Sequence, residues 1–161
     1  MSKFPVTPAI RQLRQEKVEF DNHLYEYEEK GGTKVSAREL QVDEYAVIKT
    51  LVMEDERKQP LIVLMHGNQQ VSTKKLARDL SLKTITPCTP EVAEKHTGYQ
   101  VGGTSPFGTR KTLPIYAEKT IFDLSRIYIN GGKRGFLVSL ASQELMRVLQ
   151  PVLIEVAIDN H

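Results

Sequence analysis

Apolar positions along the chain switch between helical and extended spacing, and the switches mark its elements. Thr7 before Pro8 reads as a helix start: a threonine oxygen accepts from an orphan amide of the first turn, and proline's fixed φ suits the first helical position. Ile10, Leu13 and Lys17 continue this early helix. From Val18 to Tyr27 the aromatic and β-branched content, including Phe20, Leu24, Tyr25 and Tyr27, predicts a strand that Gly31 and Gly32 end. Ser36, with Glu39 three positions on, predicts a capping box opening a short helix through Leu40, and Val42 to Ala46 leads out. Two apolar runs, Val47 to Met53 and Leu61 to Met65, flank the charged stretch Glu54 to Pro60 and predict paired buried strands at the centre of a sheet. Ser72 predicts the cap of a helix carrying Leu76 and Leu80. Thr89-Pro90 predicts another with Val92 and Ala93 inward, and Thr84 to Thr86 a short strand between them.

The segment Gly98 to Gly108, reading Gly-Tyr-Gln-Val-Gly-Gly-Thr-Ser-Pro-Phe-Gly, carries too many glycines and prolines for regular structure. Strands are predicted around Ile121 to Leu124 and Ile127 to Ile129. Gly131-Gly-Lys-Arg-Gly135 then predicts a tight glycine turn, and Phe136 to Leu140 a returning strand. Ser142 predicts the cap of a helix through Leu149 that Pro151 stops, and Val152 to Ile158 predicts a last strand. Because several strands follow one another directly, the pattern predicts an α/β fold: one domain over residues 1–161, with helices packed on a mixed sheet rather than a doubly wound parallel one.

At 161 residues, 40% hydrophobic and 26% charged, the composition suits one folded unit. No apolar run reaches the length of a membrane span and the first residues lack the parts of a secretory signal, so a cytoplasmic location and no membrane partner are expected. A lone cysteine, Cys88, forms no internal disulfide. The net charge of +2 is far below that of domains that coat nucleic acid by charge alone. Local basic groups remain at Lys74, Lys75 and Arg78, at Arg110 and Lys111, and at Lys133 and Arg134.

Candidate chemistry is sparse. His23, His66, His96 and His161 show no close ligand spacing, and with one cysteine no metal site is expected. The nucleophile elbow, the Walker loop and the dinucleotide fingerprint are all missing from the sequence. Cys88 precedes a predicted helix start that would favour its thiolate, but without a base nearby in sequence it reads rather as a small apolar loop residue. Lys49 interrupts an apolar run; it either faces water on an amphipathic strand or binds a phosphate or ribose oxygen. Gly102 and Gly103, and again Gly131 and Gly132, are either plain turns or loops offering free amides to a carbonyl oxygen.

Thr7-Pro-Ala-Ile10, Tyr25, Lys49-Thr50, the stretch Thr97 to Gly108 and Gly131-Gly-Lys-Arg-Gly135 together resemble the YbaK/EbsC family of the prolyl-tRNA editing superfamily, over nearly the whole chain. The resemblance implies a partly barrel-like mixed α/β domain that deacylates mischarged tRNA, notably cysteine on proline tRNA, without a cofactor. It implies that Lys49 holds the 3′-terminal adenosine or phosphate and that Gly102 and Gly103 supply amides to the aminoacyl carbonyl. It further implies substrate contacts at Tyr25, Thr50, Thr104, Ser105, Pro106, Asn130, Gly131 and Gly132. Asn130 stands where relatives commonly carry serine, and Leu137 where some carry an acid. The implied mechanism is substrate-assisted: the cysteine thiol attacks its own ester and leaves as a thiolactone, with the protein supplying geometry and electrostatics. Low net charge implies weak intrinsic affinity for tRNA, hence recruitment by prolyl-tRNA synthetase. Competing readings are an editing domain for alanine-charged tRNA with a water nucleophile, and a non-catalytic module that binds tRNA or a synthetase.

Overall fold

The computed structural model describes residues 3–159, so the His161 considered above lies outside them. In chain order they form α1 (Pro8–Gln15), β1 (Phe20–Leu24), α2 (Gly32–Leu40), β2 (Val47–Asp55), β3 (Pro60–His66), β4 (Gln69–Val71), α3 (Thr73–Asp79), β5 (Ile85–Pro87) and α4 (Pro90–Thr97). There follow β6 (Ile115–Glu118), β7 (Arg126–Lys133), β8 (Phe136–Ala141), α5 (Ser142–Leu149), β9 (Val152–Ile154) and β10 (Ala157–Asp159); 3-10 turns cover Glu44–Ala46 and Lys119–Asp123. No helix among the described residues is long and apolar enough to cross a membrane.

The main sheet runs β1-β8-β7-β2-β3-β6-β9, with β5 added to β2, while β10 and β4 form a separate pair. β2 and β3 are antiparallel, and β2–β7, β3–β6 and β6–β9 are parallel, so the sheet is mixed as the element order predicts. β2 and β3 lie in its middle, and on β3 Leu61 to His66 are all buried and alternation serves two cores. Ile62 and Leu64 pack with Ile10 and Leu13 of α1, Ala93 of α4 and Leu145 of α5, whereas Leu61, Val63 and Met65 pack with Leu76 and Ala77 of α3. Thr7 caps α1 by accepting from Ile10 N (3.1 Å), and its hydroxyl donates to Gly131 O on β7 (2.5 Å).

Several elements differ from expectation, each for a tertiary reason. Ser36 caps nothing: α2 begins at Gly32, and Ser36 lies buried inside it, donating to Thr33 O. Burial of Val35, Ser36 and Ala37 outweighs the poor helix propensity of the preceding glycines. Ser142 is the first residue of α5 rather than its cap, and its hydroxyl bonds Leu124 O. The Ile121 segment forms a 3-10 turn because of its three apolar residues Ile121 alone is fully buried, and the strand lies upstream at Ile115–Glu118. The last predicted strand is split into β9 and β10 at Val156, whose N–H is drawn to the buried carboxylate of Glu118 at 2.7 Å. Lys17 lies past the end of α1, and β1 ends at Leu24, releasing Tyr25 and Tyr27 from the sheet.

Candidate functional site

A gap in hydrogen bonding along β2 defines the site. β7 pairs with β2 at Val47 and Ile48, and β5 joins the same edge from Met53 onward, extended by Cys88 N to Val52 O at 3.0 Å. Between them the edge is open. Backbone groups alternate in direction along a strand, so the parity that aims Val52 C=O at Cys88 also aims the N–H and C=O of Thr50 into the gap. The buried Thr50 Oγ1 has no hydrogen-bond partner among the described residues. A cleft of about 820 Å3 opens here, with an apolar floor of Val35, Val47, Leu51, Val52, Met53 and Leu137.

Lys49 lies in the cleft wall, half-buried. Its ammonium donates to Gln69 O, and no carboxylate among the described residues lies within ion-pair distance. Burial pushes its pKa down, partly opposed by Glu44. An ammonium has three donors, and Gln69 O is the one acceptor this ammonium meets among the described residues, so most of its capacity is unspent.

The glycine loop forms the opposite wall, with Val101, Gly102 and Thr104 on the cleft. Gly102 has φ +89°, and a Cβ there would stand 2.5 Å from the Tyr27 hydroxyl, so the phenol seats directly on the loop. Asn130 bridges two segments: its Nδ2 donates to Gly102 O at 3.1 Å, and its Oδ1 accepts from Gly132 N at 2.6 Å and Lys133 N at 3.1 Å. These last two amides belong to the irregular end of β7, where the pairing with β8 skips from Asn130 to Lys133. The glycines there are therefore a strand bulge, and the turn itself falls at Arg134–Gly135.

The structure brings Tyr25, Lys49, Thr50, Gly102, Thr104 and Asn130 together on the cleft. The other five expected residues are directed elsewhere. The Gly103 amide is spent on Gln100 O at 2.9 Å, and Gly103 is buried so tightly that a Cβ would meet Arg134 N at 2.7 Å. Ser105 and Pro106 are buried off the cleft, where Ser105 Oγ accepts from Phe107 N. The Gly131 carbonyl oxygen accepts from Thr7, and the Gly132 amide is held by Asn130, so Gly132 offers no free amide to a ligand. These five hold the loop and bulge in shape rather than lining the cavity.

Sequence reasoning passed over Tyr27 as a site residue and read Arg134 only as surface charge. The guanidinium carbon of Arg134 lies 5.2 Å over the Tyr27 ring, and its Nε donates to Val101 O at 2.9 Å. The spacing of Tyr25 and Tyr27, two apart in extended chain and so on one side, was the signal available. Cys88 also lines the cleft, but burial first and then Glu54, 3.9 Å from its sulfur, push the thiol up to about 11. It stays protonated at neutral pH and is no nucleophile. His66 lies away from the cleft, stacked on Tyr45 at 3.7 Å and bonded to Tyr45 O and Thr120 Oγ1, each at 2.7 Å. Among the described residues no three His, Cys, Asp or Glu side chains are grouped to hold a metal ion.

An open strand edge, a half-buried cation and a glycine loop line one cleft and make it the candidate site. Comparison with known proteins gives the class. A family model for the aminoacyl-tRNA editing domain matches residues 28–148. EbsC of Enterococcus faecalis, described as a candidate Cys-tRNA(Pro)/Cys-tRNA(Cys) deacylase, is 30% identical over 141 residues, covering 87% of this chain and 86% of that protein. A proline–tRNA ligase of Levilactobacillus brevis is 30% identical over 91 residues, which are 56% of this chain and 16% of the ligase. A crystal structure described as a candidate trans-editing enzyme for prolyl-tRNA synthetase superposes with a TM-score of 0.80 over 98% of this chain and 100% of that one at 19% identity, showing a shared fold. The chain belongs to the aminoacyl-tRNA editing domain family.

Proposed function

We propose that this protein is a trans-editing deacylase that removes cysteine mischarged onto proline tRNA, the substrate's own thiol serving as nucleophile. The observation that carries the reading is the cleft's pairing of an unspent cation with the absence, among the described residues lining it, of an activated nucleophile. Cys88 is held protonated, and no histidine among the described residues lines the cavity. Leu137 puts an alkyl group in the wall, and the lining carboxylates, Glu28 and Glu29, are exposed, Glu28 being paired with Arg38. No described residue of the cavity floor carries a side chain able to activate water, which favours a nucleophile that arrives with the substrate.

In this scheme Lys49 holds the phosphate or ribose of the terminal nucleotide. The N–H groups of Thr50, at the open edge, and of Gly102, which has no protein acceptor among the described residues, are the donors available to the ester carbonyl. The thiol sulfur attacks the carbonyl carbon and the carbon–oxygen bond to the ribose breaks. The thiol proton passes to the leaving ribose oxygen, which becomes the terminal hydroxyl, giving free tRNA and a cyclic thiolactone. The protein's share is to hold sulfur and carbonyl within reach and to stabilise the oxyanion. A net charge of +2 supports delivery of the tRNA by prolyl-tRNA synthetase rather than independent capture.

The test is deacylation of proline tRNA charged with cysteine, serine or alanine, with and without the synthetase. Selective loss of cysteine is expected. Equal rates with serine, which has the same shape but a far weaker nucleophile, would exclude thiol assistance and favour water.

A further inference from the structure

Arg134 sits at the mouth of the cleft in an arrangement that the scheme above does not use. It is exposed on the β7–β8 turn, yet its conformation is held at two points: Nε donates to Val101 O at 2.9 Å, and the guanidinium lies 5.2 Å over the Tyr27 ring. Tyr27 in turn abuts Gly102, so glycine loop, aromatic ring and arginine form one clasp. No carboxylate among the described residues pairs with this arginine, whereas Arg38, Arg126 and Arg147 each have one. Its two terminal nitrogens therefore remain free for an acceptor. An arginine with its torsions already fixed and its fork unspent loses little entropy on meeting a planar oxyanion.

We infer that Arg134 is a second anion anchor, gripping a backbone phosphate of the single-stranded tRNA 3′ end where it enters the cleft, while Lys49 holds the end itself. The inference rests on the editing reading for the identity of the ligand. Two cations, one inside and one at the mouth, fix the direction in which the strand threads. Lys30, Glu29 and Glu28, the last paired with Arg38, also line the cleft, so its charge there is otherwise near balance and the fixed arginine supplies the directed contact.

The test is binding of an uncharged acceptor-stem minihelix with a single-stranded CCA end, measured from 50 to 200 mM KCl for wild type, Arg134→Ala and Arg134→Lys, beside deacylation kinetics. A lost single-strand phosphate contact lowers the log–log salt slope by about 0.7, so the affinity ratio between wild type and Arg134→Ala should shrink about 2.5-fold across that range. KM should rise with kcat nearly unchanged. Arg134→Lys should restore the slope while binding more weakly than wild type. Unchanged slope in Arg134→Ala, with kcat reduced, would show that the residue only shapes the loop and would overturn the inference. So would an Arg134→Lys slope as low as that of Arg134→Ala. If wild type binds the minihelix with the Arg134-dependent slope but deacylates nothing, the anchor stands and the editing reading fails. Turnover with equal slopes gives the reverse.

Discussion

Replacing Lys49 by methionine separates function from folding more sharply than any other change in this cleft. The alkyl stem is kept and the ammonium removed. A charge-assisted hydrogen bond from a partly desolvated cation to a phosphate oxygen is worth about 1.5–3 kcal/mol net, much less than the roughly 4 kcal/mol of raw attraction at 4 Å in a medium of effective dielectric 20. The expected loss in kcat/KM is therefore about 10- to 150-fold. Stability should move the other way or not at all. Burial lowers the folded-state pKa of Lys49, so below that pKa folding carries the cost of keeping the group charged, and no carboxylate among the described residues pairs with it. Only its bond to Gln69 O is lost. Single-turnover deacylation of cysteine-charged proline tRNA, with thermal melts of both proteins, reads the two quantities. A methionine variant that melts well below wild type while its surviving fraction turns over normally would refute the argument, because Lys49 would then be a structural residue.

Other parts of the clasp and core yield separate expectations. Gly102→Ala places a methyl group 2.5 Å from the Tyr27 hydroxyl in a backbone with φ +89°; a stability loss of about 1–2 kcal/mol and a larger fall in kcat should follow, visible as a lower denaturant midpoint and slower single turnover. With its thiol pushed up to about 11, Cys88 should react with iodoacetamide at pH 7.5 on the order of 100-fold or more slower than an ordinary thiol, and Cys88→Ala should deacylate at the wild-type rate. Normal labelling with loss of activity would contradict this. His66 is buried with its pKa lowered, mainly by desolvation, so its neutral form is favoured by folding. Its contribution is full above the unfolded value near 6.5 and declines as pH falls below it toward the folded pKa. The melting temperature should therefore drop between pH 7 and 5.5, with a shallower slope in His66→Gln; parallel slopes would assign the acid sensitivity to other groups.

Much of the scaffold was legible because its signals are local. A threonine before a proline capped α1, an unbroken apolar run made β3, and glycine density kept residues 98–108 irregular. Local signals misled where burial competed with them. Ser36 looked like a cap but is carried inside α2 by the packing of Val35 and Ala37, and the Ile121 segment looked extended but buries Ile121 fully and leaves Phe122 and Leu124 only partly buried against the same core. The site was legible as a set of residue types and not as an arrangement. Gly102 and Gly103 are neighbours of one kind in sequence; whether an amide is free depends on the turn closing at Gln100, which consumes the second.

By itself the sequence determined most of the elements and their order, the mixed sheet and the motifs of the editing family, since propensity, capping and alternation act over a few residues. Tertiary structure alone decided that β7 leaves β2 after Ile48, that β5 rejoins it at Met53, and that Lys49 and Thr50 lie at the opening between. It also decided that Arg134 rests over Tyr27. Those facts depend on where strands distant in sequence start and stop pairing, and pairing is set by the packing of the whole sheet against its helices rather than by any neighbouring residue.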